Sequence, residues 1–153
     1  MIKVDREFYR TVADILENDD FKKLSTYVQH KSSTRLHHSI HVSYISWKIA
    51  KAVGSDEVKA ARIGLLHDFF LYDWRTDDTP QMHAFYHPKL AAVNSRAYFK
   101  VNDREARAIE THMFPLGPVP TSSLGWIVTM ADKICAVDEF MPWHEKEQWA
   151  AAA

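Results

Sequence analysis

The longest uninterrupted helical pattern in the sequence runs from about Arg35 to Val53. Apolar residues recur there every three or four positions, as they do along the buried face of an α-helix. Gly54 follows at once and is typical of the residue at which a helix stops. Extending the apolar face back by one turn leads to His38, so we expect this imidazole to point into the protein. The apolar face consists of Val42, Ile45, Ile49 and Val53, and a neighbouring row nearer to solvent consists of His37, His41, Tyr44 and Lys48.

Shorter segments with the same spacing occupy most of the remaining chain. The 153 residues include only 4 glycines and 6 prolines, which suits helices with short connections better than a sheet-rich fold. The sequence therefore predicts an all-α fold, with a single domain of six to eight helices over residues 1–149. Residues 150–153 form an alanine tail, to which we assign no function.

Capping residues and prolines indicate the helix boundaries. A first helix is expected over residues 5–17, and a second helical stripe is expected to continue from Phe21 to Val28. Ser55 is the expected N-cap of the helix after Gly54, and residues 71–81 are expected to form a loop. Pro88 is expected in the first turn of another helix, and residues 102–105 resemble a capping box.

The last long helix is expected to begin after residues 121–123, which are good capping residues. Asp132 lies on a row of this helix next to the predicted core stripe. Small side chains share that row, so a partner can approach the aspartate closely. The predicted core stripe consists of Ile127, Met130, Ile134 and Val137.

Composition argues against several functional classes, although it leaves a local basic patch open. The formal net charge of -1 gives no global basic field, so there is no strong nucleic-acid signal. The single cysteine, Cys135, cannot form an intrachain disulfide and is expected in the core. The first residues are too charged for a signal peptide, and no apolar run is long enough to span a membrane. We therefore expect a cytoplasmic protein.

A histidine and an aspartate stand side by side at His67-Asp68, at the end of an apolar, helix-like run. Burying both groups together is unfavourable unless a partner satisfies them. A metal ion is such a partner, because it binds a neutral histidine nitrogen and an aspartate oxygen. The alternative is a surface pair at a helix end. Among 9 histidines in all, the inward-facing or helix-end candidates, taken with the aspartates, are His38, His67, Asp68, His87, His112 and Asp132.

These residues, in this order and context, resemble the HD-domain phosphohydrolase superfamily, and most closely its small stand-alone HDIG-type hydrolases. The resemblance extends from about Arg35 to Val137. The chain has Met113 after His112, where the HD-GYP branch has a double histidine, and it lacks the GYP signature of that branch. The segments that carry the resemblance are residues 35–42, 64–68, 87–88, 109–112 and 130–134.

The resemblance implies a metal centre. One divalent transition metal would be held by His38, His67, Asp68 and Asp132. A second would be held by Asp68, His87 and His112, with Asp68 bridging the two. Such mixed imidazole and carboxylate ligands suit Fe, Mn, Zn, Co or Ni better than Mg alone. Two ions can activate a water molecule and clamp the oxygens of a phosphoryl group during an in-line displacement.

The implied activity is hydrolysis of a small phosphate monoester or phosphodiester, with a nucleotide as a candidate substrate. We assign the catalytic roles to Asp68 and to Lys133, whose positive charge can contact a phosphate. Arg35 is a weaker candidate for the same contact. His41 and His83 are candidates to support a ligand or to face the substrate. The aromatic candidates for lining the pocket or stacking a base are Tyr72, Trp74 and Phe85.

Two other functions remain open from the sequence. Some proteins of the HD fold with the same six-ligand pattern are mixed-valent di-iron oxygenases that cleave C–C or C–P bonds. The site could also serve structure or sensing in a non-catalytic regulatory module. The ligand pattern does not separate these alternatives from a hydrolase.

Overall fold

The computed structural model describes residues 5–30 and 33–140. Within these ranges the chain forms seven α-helices, one 3-10 helix over Lys23–Thr26, and a two-stranded antiparallel sheet of β1 (Val28–His30) and β2 (Ser33–Thr34). The predicted all-α class and helix number are confirmed. The single domain over residues 1–149 extends past the described residues and stays a prediction, and the alanine tail lies outside them. The helices are α1 (Arg6–Leu16), α2 (Asp19–Lys22), α3 (Arg35–Val53), α4 (Glu57–Leu66), α5 (His83–Tyr98), α6 (Asp103–Glu110) and α7 (Ser123–Phe140).

Helix α3 lies at the centre and packs most extensively against α4 and α7. It spans the predicted residues, with Thr34 capping its first turn and Gly54 in the left-handed conformation (φ 72°) that a helix end favours. Two side chains of α3 depart from the prediction. Val53 is 66% exposed, whereas His41 is buried rather than near solvent. His41 is buried because α7 covers this side of α3.

Helix α4 crosses α3 at very short distance, at Gly64. A Cβ atom at this position would lie 2.8 Å from Ser46 Oγ and 3.1 Å from the Cα of Ser43. The Ser43 hydroxyl donates a hydrogen bond to the Ala61 carbonyl at 2.6 Å. Glycine therefore lets the two backbones approach each other, and the residues that follow α4 come close to α3.

Helix α7 turns a different face inward from the predicted one. Ala131 and Cys135, both buried, pack against Val42 of α3. Apolar residues surround α7 on most sides, so their spacing alone does not select the buried face. The small side chains face α3 because they allow a closer approach. The predicted stripe is wrong at three positions that are about half exposed, Met130, Ile134 and Val137.

The helical stripe predicted through Val28 is also wrong in its second half. Helix α2 ends at Lys22, the 3-10 helix follows, and Val28 begins β1. Val28 pairs with Thr34 across the small sheet. This pairing supplies the backbone partners that a longer helix would have provided.

Two helix starts differ from the prediction. Asp56 rather than Ser55 caps α4, because its carboxylate accepts the backbone N–H three residues ahead. Helix α5 begins at His83, so Pro88 lies inside the helix and His87 lies in the second turn rather than at the start. The earlier start is favoured by contacts of the His83 ring with the preceding loop, which hold the first turn in place.

Other expectations are met. Asn102 caps α6 by accepting the Glu105 N–H at 2.9 Å, and residues 71–81 form no helix or strand. Cys135 is buried as a free thiol, and burial raises its pKa. In the part of the chain that the structure describes, every helix is too short or too polar to cross a membrane.

Candidate metal centre

Six buried or partly buried side chains from five places in the chain meet at one end of α3. They are the six predicted from the sequence, and the structure brings all of them together. His38 comes from α3, and His67 and Asp68 directly follow α4. His87 comes from α5, His112 follows α6, and Asp132 comes from α7. Three overlapping groups have ligand atoms within 4.8 Å of one another and could hold metal ions, namely His38/His67/Asp68, His67/His112/Asp132 and Asp68/His87/His112.

Asp68 lies between two groups of histidines. Its Oδ2 atom is 3.3 Å from His67 Nε2 and 3.8 Å from His38 Nε2. Its Oδ1 atom is 3.4 Å from both His87 Nε2 and His112 Nε2. Each oxygen of the carboxylate therefore faces its own pair of imidazoles.

Asp132 completes the first of these groups. Its Oδ1 atom lies 2.8 Å from His38 Nε2 and 3.3 Å from His67 Nε2. In the second group, the Nε2 atoms of His87 and His112 are 3.1 Å apart. All four imidazoles thus direct Nε2 toward the aspartates.

The opposite ring nitrogens explain this orientation. His67 Nδ1 donates to the Gly64 carbonyl at 2.7 Å, and His112 Nδ1 donates to the Ile109 carbonyl at 2.7 Å. His87 Nδ1 donates to a carbonyl one turn earlier in α5, at 2.6 Å. Because a carbonyl only accepts, Nδ1 must carry the hydrogen, and the lone pair of the neutral ring is then on Nε2. This is the tautomer that binds a metal through Nε2.

Two buried polar atoms in the cluster have no hydrogen-bond partner, His67 Nε2 and Asp68 Oδ1. Leaving such atoms unsatisfied costs about 1–3 kcal/mol each. Both are metal-ligand atoms, and both point toward the other candidate ligands. The residues present therefore fit a divalent metal.

The charges of the cluster also favour cations. Burial alone would lower the pKa of His38, but the carboxylates of Asp132 and Glu139 outweigh it and raise that pKa to about 9. The pKa of His67 likewise rises well above its usual value despite burial, because Asp68 and Asp132 lie beside it. Burial opposes ionisation of both aspartates, yet the neighbouring histidines hold the pKa of each well below its usual range. A divalent ion would replace the protons on these rings.

Two residues that contact the cluster were not found from the sequence. Glu139 Oε2 lies 2.8 Å from His38 Nδ1, and Gln29 Nε2 donates to Asp68 Oδ2 at 2.9 Å. Glu139 follows Asp132 by seven residues, or two helical turns, and this spacing could have revealed it. Gln29 carries no such signal, because it lies on a strand that the sequence does not predict.

A cavity of about 370 Å³ opens over the cluster. Lys133 lines this cavity, and its ammonium group donates to the His112 carbonyl at 3.4 Å. Among the described residues, Lys133 is the only lysine or arginine that lines the cavity. Apolar side chains form part of the cavity wall, including Trp74, Met113 and Leu116.

His83 and Trp74, both candidates from the sequence, line this cavity. The His83 ring is stacked between Trp74 and His87, with ring centroids 5.3 and 4.3 Å away. His83 Nδ1 lies 2.8 Å from the Tyr72 hydroxyl. Burial and the nearby His87 lower the pKa of His83 to about 4, so this ring is neutral near pH 7. Tyr72 thus contacts His83, which lines the cavity, and is not itself among the lining residues.

The remaining candidates lie elsewhere. Arg35 is fully buried, donates to the carbonyls of Phe70 and Tyr72 at 2.6 and 3.0 Å, and therefore holds the segment after Asp68 rather than a phosphate. His41 lies beside Glu139, with 3.6 Å between Nδ1 and Oε1, away from the cavity. Phe85 lines a neighbouring surface depression.

A comparison with known families agrees with this arrangement. The sequence model of the HD domain family matches residues 35–137, about two thirds of the chain, and this range contains all six clustered residues. No curated protein matches the chain at a significant level.

Proposed function

The chain belongs to the HD-domain family, and from this membership we propose that it is a metal-dependent phosphohydrolase acting on a small phosphate monoester or phosphodiester. The observation that carries the proposal is the convergence of four Nε2 atoms on two aspartates. Mixed imidazole and carboxylate ligands of this kind suit Fe, Mn, Zn, Co or Ni.

We assign two ions to the centre. His38, His67 and Asp132 would hold one ion together with Oδ2 of Asp68, and the second ion would be held by Oδ1 of Asp68 with His87 and His112. The assignment of two sites is supported by Asp68, because its Oδ2 atom faces His67 and its Oδ1 atom faces His87. When bound, divalent ions supply activation of water and neutralisation of the phosphoryl charge.

The chain's own residues would bind and orient the substrate. Asp68 would be shared by the two sites, and Gln29 fixes its carboxylate by donating to Oδ2. Lys133, which lines the cavity, would hold a phosphate oxygen. Among the described residues, one cation lines the cavity beside the metal centre, which suits a substrate with one phosphate group, such as a nucleoside monophosphate. The apolar wall near Trp74 would contact the rest of the substrate.

The test is phosphate release from a panel of phosphate monoesters and diesters, after loading with each candidate metal under anaerobic conditions. Asp68→Ala should lower the rate at least about a hundredfold, because both sites share its carboxylate. Asp103→Ala is a matched control, since this aspartate is exposed on α6 and pairs only with Arg96 among the described residues.

Unchanged phosphate release by Asp68→Ala would refute the proposal. Oxygen uptake without phosphate release would instead support a di-iron oxygenase, and stable metal binding without any turnover would support a regulatory module.

A further inference from the structure

We propose that Glu139 is a positioning residue of the metal centre, which fixes the His38 imidazole and strengthens the site containing His38 over the site containing His87 and His112. The inference rests on the proposed metal centre but not on the identity of the substrate. Glu139 lies two residues beyond the range that matches the family, so neither the motif nor the match assigns it a role.

The first observation is that α7 holds the His38 ring from both sides. Asp132 Oδ1 lies 2.8 Å from Nε2. Two turns later, Glu139 places Oε2 at 2.8 Å and Oε1 at 3.1 Å from Nδ1. Because both ring nitrogens have carboxylate partners on one helix, the ring cannot turn without breaking one of these contacts.

The second observation is that His38 differs from the other three imidazoles. His67, His87 and His112 each donate from Nδ1 to a neutral backbone carbonyl within the preceding turn. His38 alone among the four donates to a carboxylate, contributed from 101 residues away in the sequence. A charged acceptor forms a stronger hydrogen bond and makes the opposite nitrogen a better metal ligand.

The third observation is the burial of Glu139. Its side chain is only 4% exposed, and a buried carboxylate is unfavourable unless charged or polar groups surround it. The groups that face it include the rings of His38 and His41, the latter at 3.6 Å. An apolar residue would fill the same space on a helix without this desolvation cost. The carboxylate therefore has a function beyond packing, and its nearest partner is a candidate metal ligand.

These contacts make the two proposed sites unequal. The site of His38 has two carboxylates, Asp68 and Asp132, and Glu139 directly behind one of its imidazoles. The site of His87 and His112 has one oxygen of the shared Asp68 and two imidazoles supported by neutral carbonyls. Coulomb attraction and ligand strength both favour the first site. We therefore expect one tightly held ion and one more readily lost.

The experiment measures Zn²⁺ affinity and stoichiometry by competition with a chromophoric chelator. Wild type should bind two ions with distinct affinities. Glu139→Leu should weaken the tighter ion by about 10–100-fold and leave the weaker ion unchanged. Glu139→Gln should weaken it by a smaller but measurable factor, about 2–10-fold, because its amide oxygen can accept the same Nδ1 hydrogen without the charge.

Two further variants identify the site. The His87→Ala/His112→Ala background keeps only the site of His38, so adding Glu139→Leu there should weaken the single remaining ion by the same factor. Asp138→Asn removes the carboxylate from the position that directly precedes Glu139 in α7, and it should leave the affinities for both Zn²⁺ ions unchanged. A purely structural role for Glu139 would lower the melting temperature without a selective loss of one ion.

Wild-type affinity for both ions in Glu139→Leu would overturn the inference, as would a loss confined to the other site. If Glu139→Leu does not fold, Glu139→Gln decides, and an unchanged tight site in that variant overturns the inference. Absence of Zn²⁺ binding by wild type would overturn it together with the proposed centre. Two bound ions with no phosphate release from any substrate would refute the phosphohydrolase and leave the role of Glu139 standing.

Discussion

Replacing Gly64 by alanine should destabilise the protein, although alanine is the better helix former. The added Cβ would lie 2.8 Å from Ser46 Oγ and 3.1 Å from both Ser46 Cβ and the Cα of Ser43. One of these neighbours is backbone, so α3 and α4 must separate by a few tenths of an ångström. Overpacking of this kind costs about 1–3 kcal/mol, and the gain in helix propensity offsets about 1 kcal/mol. Because a neighbour that must move is backbone, we expect an overpacking cost in the upper half of this range, about 2–3 kcal/mol, and therefore a net loss in the free energy of unfolding of about 1–2 kcal/mol.

Urea unfolding of the metal-free protein, followed by circular dichroism, measures this loss without a contribution from bound ions. Ser46→Ala is the matched control. Ser46 Oγ is buried without a hydrogen-bond partner, so its removal alone should be neutral or slightly stabilising. The double variant Gly64→Ala/Ser46→Ala should recover part of the loss, because the shortest contact is gone. The contacts with Ser46 Cβ and with the backbone of Ser43 remain.

Gly64→Ala should also weaken metal binding, because the Gly64 carbonyl orients the His67 ring at 2.7 Å. A shift of α4 away from α3 moves His67 relative to His38. A Gly64→Ala variant as stable as wild type, or more stable, would refute the close-approach argument. If Gly64→Ala is destabilised but Gly64→Ala/Ser46→Ala is as stable as wild type, the whole loss of stability comes from the contact with the Ser46 hydroxyl.

Three other predictions concern the same part of the molecule. Arg35→Met should lower the free energy of unfolding by about 2–4 kcal/mol in urea titrations, because two carbonyls lose their charged donor. The metal-free protein should lose stability as the pH rises from about 6.5 through about 9, since the raised pKa values of His38 and His67 favour the folded state only while these rings hold their protons. Urea titrations with and without metal check this, and the loss should be smaller with metal, which displaces the protons. Elemental analysis should find about two metals per chain, and about one in His87→Ala/His112→Ala. Two in both would remove these histidines from the ligand set.

The sequence predicts those parts of the fold that depend on local signals. The bounds of α3 follow from its spacing and from Gly54, and the cap of α6 follows from Asn102. The buried face of α7 does not follow, because apolar residues lie on most sides of that helix. Its orientation depends on how closely Ala131 and Cys135 can approach α3, which is a property of the packed structure.

The same distinction applies to the candidate site. Six side chains could be selected because they combine metal-binding chemistry with inward or helix-end positions. Gln29 contacts the cluster through an element whose placement depends on tertiary packing, whereas Glu139 lies two turns after Asp132 on the same helix. Gln29 reaches Asp68 from a strand that forms only by pairing with β2. Arg35, the weaker candidate for a phosphate contact, contacts backbone carbonyls instead of the cavity.

The position of His67 and His112 just beyond the ends of α4 and α6 has a physical reason. The carbonyls in the last turn of an α-helix have no partner within the helix. Gly64 and Ile109 lie in those last turns, and their carbonyls accept the Nδ1 hydrogens of the two imidazoles. The Ile109 carbonyl also accepts the backbone N–H of His112, at 3.3 Å. Each helix end is thereby satisfied by a side chain that also directs Nε2 toward Asp68. Had α4 continued by another turn, the N–H group of Asp68 would have pointed at the Gly64 carbonyl and competed for it with the His67 ring. At the end of α4, the termination of the helix and the orientation of the His67 ring therefore depend on the same carbonyl.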